Sequence, residues 1–198
     1  MEPVEVVTGR ALPLDRSNVD TDQIIPSEWL KRIERTGYGD GLFSEWREDP
    51  TFVLNRPEYA GAVILVAGEN FGIGSSREHA VWALVDYGFR AVVSPRIADI
   101  FKGNSTRSGL VPVEVTPDLG RQLLDAVRAN PTLEITVDVG RRSIEVPAAG
   151  IRAEFAIDDA ARERLLHGLD DIALTLSHAT EIDRFERLRP TWLPRVTT

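Results

Sequence analysis

The sequence has no cysteine and a single methionine in 198 residues, and only 7% of it is aromatic. Without cysteine the chain forms no disulfide framework, thiol nucleophile or thiolate zinc site, and no iron–sulfur cluster ligated wholly by itself. Long hydrophobic runs are missing as well. The longest nearly uncharged apolar stretch, AVILVA at residues 62–67, is far short of the roughly 20 residues that cross a bilayer. The amino terminus begins Met1-Glu2, without the basic and apolar regions of an export signal, so a cytoplasmic protein with no membrane partner is expected. Positive charge is in deficit: 23 Lys and Arg against 31 Asp and Glu leave a formal charge of −8. That argues against a nucleic-acid partner, whose footprint is a basic stripe, and the aromatic residues are too dispersed to stack bases. Small anions stay open as ligands, because a few aimed arginines outweigh the average field inside a cleft.

What is present is the composition of one ordered domain spanning residues 1–198, with 42% hydrophobic and 27% charged residues, 15 Gly and 12 Pro. A chain of this length buries about 70% of the surface its unfolded form exposes, enough for a core without staples. Residues 4–14 read as a short strand or hairpin broken by Gly9 and Arg10, followed by the turn-forming stretch DRSNVDTD. Ser27 caps a short helical piece with Trp29, Leu30 and Ile33. Gly37, Gly39 and Gly41 then mark a tight loop that Phe43 and Trp46 pin to the body.

The middle is the most regular part. AVILVA is β-branched and continuous, as in a strand covered on both faces. A glycine-rich loop, a helix from Ser76 to Tyr87 with Gly88 behind it, and a strand at residues 89–94 complete a strand–helix–strand unit of the parallel, right-handed kind. A short helix at 97–101, a loop at 103–106, a strand at 109–115 and a helix at 117–129 follow. Residues 133–139 and 142–146 read as a hairpin around Gly140 and Arg141. The segment from about 158 to 190 is mostly helical, interrupted near His178, with Leu165, Leu166, Leu169, Ile172, Leu174 and Leu176 as core candidates.

Chemistry concentrates in GENFGIGSSREHA at residues 68–80, between a buried strand and a helix, where helix amides beside a turning backbone attract anions. It lacks the full GxGxxG pattern, a Walker lysine and the G-x-S-x-G of a hydrolase elbow. Ser75 is either a nucleophile or base, or an N-cap whose box is closed by Glu78. Arg77 either grips a carboxylate or pairs with a nearby acid. His79 is a structural hydrogen bonder or a base. Asp20, Thr21 and Asp22 form a turn, orient an arginine or support a metal, although two carboxylates alone are no metal signature. Asn104, Ser105 and Thr106 follow the next strand and fall at the same strand-end crevice as Ser75.

Taken together, SNVDTDQIIPSEWLKR at 17–32, RTGYGDGLF at 35–43 and GENFGIGSSREHAVWALVDYGFRAVVSPRIADIFKGNSTRSGLVPV at 68–113 resemble the 3-isopropylmalate dehydratase small subunits. More distantly they are similar to the swivelling C-terminal domain of aconitase. The resemblance implies a single α/β swivelling domain of the β/β/α kind, with a mixed or parallel sheet flanked by helices. It implies a hydro-lyase of leucine biosynthesis that isomerises 2-isopropylmalate to 3-isopropylmalate through 2-isopropylmaleate, and that is active only with a large subunit. A 4Fe–4S cluster held by that large subunit would supply the Lewis acid, and this chain would bind no cofactor or metal alone.

Carried onto this sequence, the resemblance makes Ser75 the base, Ser76 its oxyanion support and Arg77 the carboxylate clamp. Asp20, Thr21, Asp22, Glu78, His79 and Asn104 become supporting residues. The stretch WLKRIERTG departs from aconitase, which implies a pocket edge reshaped for an isopropyl group, with Leu30 or Ile33 touching it and Arg32 or Arg35 reaching a carboxylate. Related substrates, homoaconitate or citraconate, form the alternative within this chemistry. A non-catalytic interaction module is the alternative outside it.

Overall fold

The first apolar stretch forms one unbroken strand, β1 (Val6–Leu14), which joins two halves of a sheet. The structure, a computed structural model, describes residues 1–31, 36–190 and 192–193. Residues 6–10 of β1 run antiparallel to β7 (Glu134–Asp138), and residues 11–14 run parallel to β3 (Ile64–Ala67). With β5 (Ala91–Ser94), β6 (Val111–Glu114), β8 (Ser143–Val146) and β9 (Ile151–Glu154), the order is β6-β5-β3-β1-β7-β8-β9. The break expected at Gly9 does not occur. A Cβ there would lie 2.6 Å from Val63 Cγ2, so the glycine serves close packing inside the strand rather than a reversal of the chain.

The two halves differ as their hydrophobic patterns require. Every residue of β3 and β5 is buried, whereas β7 alternates, with Ile135 and Val137 inside and Glu134 outside. Helix α5 (Pro117–Ala129) crosses β1, β3 and β5, and starts where the proline and the Thr116 cap put it. Helices α3 (Glu78–Tyr87) and α4 (Asp99–Arg107) pack together, with α4 also on β6. The hairpin around Gly140 forms as β7 and β8, with Arg142 at φ 55°, and β9, which the sequence left unassigned, adds a third antiparallel strand.

The polar stretch after β1 forms β2 (Val19–Asp20) and the single turn α1 (Thr21–Ile24); β2 pairs in parallel with β4 (Phe71–Ile73). Beside it, α2 (Ser44–Arg47) carries Trp46 stacked on the buried Phe43 at 5.2 Å, with Phe52 edge-on to both. The expected pinning of this loop is therefore real.

Two further expectations need correction. Residues 103–106 are helical, the second half of α4; the apolar pattern ends at Phe101 because this part of the helix buries Asn104, Ser105 and Thr106 instead. Ser105 turns its hydroxyl back onto the Phe101 carbonyl at 2.7 Å, which makes a polar side chain tolerable inside. The carboxy-terminal segment is helical as expected, in α6 (Asp159–His167), α7 (Asp171–Leu176) and α8 (Ala179–Leu188), with His178 between the last two. Its core candidates are mostly not core. Leu165 is fully buried and Leu166 packs partly, but Ile172 is 72% and Leu176 65% exposed, because no element of the described chain covers α7.

Candidate active site

Three stretches far apart in sequence meet around β4. On one side its residues pair with β2, Val19 opposite Phe71 and Asp20 opposite Ile73, and the Asn18 N–H donates to the Glu69 carbonyl at 2.8 Å. On the other side the Phe71 N–H donates to the Arg96 carbonyl, and Phe71 accepts from the Ala98 N–H, both at 2.9 Å. Gly72 lets this crossing close: its φ is +74°, and a Cβ would lie 2.4 Å from Phe101 Cγ. In the NFGIGS stretch Gly72 thus serves close packing against α4, while Gly74, at φ +90°, lies beside Asp20 and Thr21.

The meeting point is an open cavity of ≈250 Å³ whose walls include Thr21, Ser75, Arg77, Ile100, Phe101 and Asn104. Thr21 Oγ1 donates to the Ser75 carbonyl at 3.1 Å, and the Arg77 N–H donates to the same oxygen at 2.8 Å. Ser75 itself faces solvent, and the guanidinium of Arg77 forms an ion pair with the Asp22 carboxylate. Asp20 caps α1: its Oδ1 accepts from the Gln23 N–H at 2.8 Å, while Gln23 Oε1 accepts from the Asp20 N–H at 3.0 Å. The acidic stretch therefore makes a capped turn and orients an arginine. No group of three or more His, Cys, Asp or Glu among the described residues is placed to hold a metal, and a chain without cysteine does not offer the donors of an iron–sulfur cluster.

The remaining candidates divide. Asn104, 8% exposed, does line the cavity, as its strand-end position required. Ser76 is exposed beside Ser75 but is not part of the cavity wall. The helix starts at Glu78 rather than Ser76, with Arg77 as N-cap, and the Ser75–Glu78 capping box does not form. The Ser75 carbonyl is held by Thr21 and by its own turn, so the chain enters the helix only afterwards; the box exists at Asp20 and Gln23 instead. Glu78 stays exposed in the first helical turn, where a carboxylate suits the dipole. His79 lies edge-on to Trp82 at 4.7 Å and Tyr38 at 5.3 Å, a packing role. Leu30 is half-buried in the short 3-10 turn Ser27–Lys31, away from the cavity wall. Arg32, Ile33 and Arg35 lie outside the described residues.

Sequence reasoning placed a short helix at 97–101 but missed that the start of α4 is part of the cavity wall. Asp99, Ile100 and Phe101 line the cavity, and Lys102 clamps them to the sheet through Asp99 at 3.0 Å and Glu114 at 2.9 Å. Glu114 also accepts from the Ile97 N–H at 2.8 Å. Burial works against the charge on Lys102, but the hydrogen bonds to Glu114 and Asp99 outweigh it and hold the ammonium pKa above 10.5; the Lys102 hydrogen bond in turn lowers Asp99 below 3.8. The available signal was the Asp99–Lys102 spacing of three, reaching one residue past the helix expected at 97–101.

Comparison with known proteins puts this small mixed-sheet α/β domain among the aconitase-type swivelling domains. The family model for the aconitase C-terminal domain matches residues 1–118, and the model for the C-terminal domain of the 3-isopropylmalate dehydratase small subunit matches residues 171–197. The chain is 60% identical to a 3-isopropylmalate dehydratase small subunit of Rubrobacter xylanophilus, over 99% of this chain and all of that one. A Parafrankia protein of the same name is 64% identical over 98% of each chain. The crystal structure of 3-isopropylmalate dehydratase from Methanocaldococcus jannaschii superimposes with a TM-score of 0.67 at 27% identity, over 90% of this chain and 99% of that one. This chain belongs to the family of 3-isopropylmalate dehydratase small subunits.

Proposed function

We propose that the chain is the small subunit of a hydro-lyase that converts 2-isopropylmalate to 3-isopropylmalate through 2-isopropylmaleate in leucine biosynthesis. The observation that carries this reading is the pairing of Ser75 and Arg77 on one cavity wall, each held from behind by the 20–22 turn. The site is completed by the large subunit, which brings the iron–sulfur cluster that supplies the Lewis acid when bound. A reducing cytoplasm suits such a partner.

On this chain, Ser75 Oγ is assigned the proton on the carbon beside a substrate carboxylate. A free hydroxyl is far too weak for that, so the alkoxide must be stabilised in place, by Ser76 and by the positive charge of Arg77. As the C–H bond gives its proton to Ser75, its electron pair becomes the C=C bond and the neighbouring C–O bond breaks; the hydroxyl departs as hydroxide, a departure that the Lewis acid of the large subunit would assist, and takes up a proton to become water. Return of the proton and of water with the opposite regiochemistry completes the isomerisation. Arg77 grips one carboxylate by its planar fork, with Asp22 as the positioning residue that presents it. Arg32 or Arg35 is assigned the second carboxylate. Leu30 or Ile33 is assigned the isopropyl group, and Ile100, 56% exposed on the cavity wall, suits the same group.

The test is anaerobic turnover of 2-isopropylmalate, citraconate and homoaconitate with and without the cluster-loaded large subunit. Activity only in the complex and highest on 2-isopropylmalate is expected. Ser75→Ala should assemble normally and lose about 10²–10⁴-fold in kcat, while Arg77→Lys should mainly raise KM. Undiminished kcat in an assembled Ser75→Ala complex overturns the base assignment.

A further inference from the structure

Among the described residues, exposed apolar side chains are concentrated towards the end of the sequence. Of the nine exposed large hydrophobic side chains among the described residues, seven lie between Ile172 and Trp192. On α8, Ile182, Phe185 and Leu188 recur every third residue and so share a face; on α7, Ile172 and Leu176 are one turn apart. Neither helix buries a single residue, and Phe185, Leu188 and Trp192 are 70%, 74% and 80% exposed. Aromatic side chains of about 150–250 Å², with somewhat smaller aliphatic ones, make on the order of 700 Å² of open apolar surface summed over the two helices and Trp192. Monomers seldom leave a patch that large uncovered. It is close to the ~800 Å² that one partner contributes to a stable interface.

We infer that the α7–α8 face is the docking surface by which this chain holds its large subunit; the inference rests on the function proposed above. Two observations choose that occupant. The patch coincides with residues 171–197, matched by the small-subunit model, while the model shared with aconitase ends at residue 118 and contains the Ser75 cavity. Chemistry and patch thus fall in separate modules, and the one particular to small subunits is the uncovered one. The patch is also tied to the wall of the site. Helix α4 lines the cavity with Asp99 and Asn104 and ends at Arg107, whose Nε lies 3.8 Å from Asp171, the first residue of α7. Arg164 fixes the same carboxylate at 2.6 Å. Nine residues of α4 span roughly 13 Å, so a partner closing the cavity mouth is within one short helix of the patch.

The experiment compares the full chain with a Phe185→Asp/Leu188→Asp variant and, on the other helix, Ile172→Asp. Each is titrated with cluster-loaded large subunit and followed by sedimentation and by turnover of 2-isopropylmalate. A roughly 30-fold or greater rise in Kd for either variant is expected, with kcat at saturating large subunit unchanged and the unfolding midpoint of the free chain preserved. Wild-type assembly and turnover accompanied by unchanged Kd in both variants overturns the docking surface and leaves the function standing. So does a wild-type chain that self-associates through this face, with the variants monomeric yet still binding the large subunit normally. Failure of the wild-type chain to bind or activate the large subunit overturns the functional reading, and this inference with it.

Discussion

Helices α5 and α8 each carry an apolar stripe on a charged background, Leu119, Leu123 and Val127 on one and Ile182, Phe185 and Leu188 on the other. Leu123 and Val127 are fully buried against β1, β3 and β5, whereas Phe185 and Leu188 are 70% and 74% exposed. The same periodicity therefore has two outcomes. It says that a helix has a face to cover, but not whether the cover comes from its own chain.

Substitutions that compare the two faces sharpen this contrast. Leu123→Ala should destabilise the free chain by about 2–5 kcal/mol, because it removes packed atoms and leaves a cavity that the sheet cannot fill. Urea unfolding measures it, and a loss under about 1 kcal/mol would mean that α5 is no more tightly covered than α8. An intermediate case is the Lys102 clamp, which is charged and only partly buried. Lys102→Met should cost roughly 1 kcal/mol or less. Its pH dependence has a defined sign. The raised Lys102 pKa gives stability that is complete below 10.5 and lost as pH rises through the folded value; the lowered Asp99 pKa gives stability present above 3.8 and lost as pH falls through its folded value. Unfolding curves of Lys102→Met should lack both losses, and curves that keep them would assign the pH dependence to other groups. The smallest effect is expected from Phe185→Ala in the free chain, within about 0.5 kcal/mol. A cost near that of Leu123→Ala would show the α8 face already covered and would break the comparison.

The site shows a similar division. The GSSR stretch and the DTD turn were both legible as unusual, since each gathers polar and glycine residues at an element boundary. Their meeting was implied by the family resemblance but not legible from the residues alone, because it depends on the two-residue strand β2 pairing with β4, too short to leave a periodic trace. The contribution of α4 was legible only in part: the strand-end position put Asn104 at the crevice, but Asp99, Ile100 and Phe101 were not read as its wall, and beyond Phe101 the helix buries Asn104, Ser105 and Thr106 rather than hydrophobic residues. Ser75 looked like an N-cap by spacing alone; the structure uses its carbonyl instead, as the acceptor for Thr21 and for the Arg77 N–H.

By itself the sequence determined the buried strand ILVA within AVILVA, the proline-started α5, the β7–β8 hairpin and the absence of any cysteine ligand, because composition and local periodicity act over a few residues. Only the tertiary structure decided that β1 runs unbroken through Gly9, that Asp22 faces Arg77 and that the last helices stay uncovered. Each of these depends on which distant surface arrives within contact range, and short-range preferences carry no information about that.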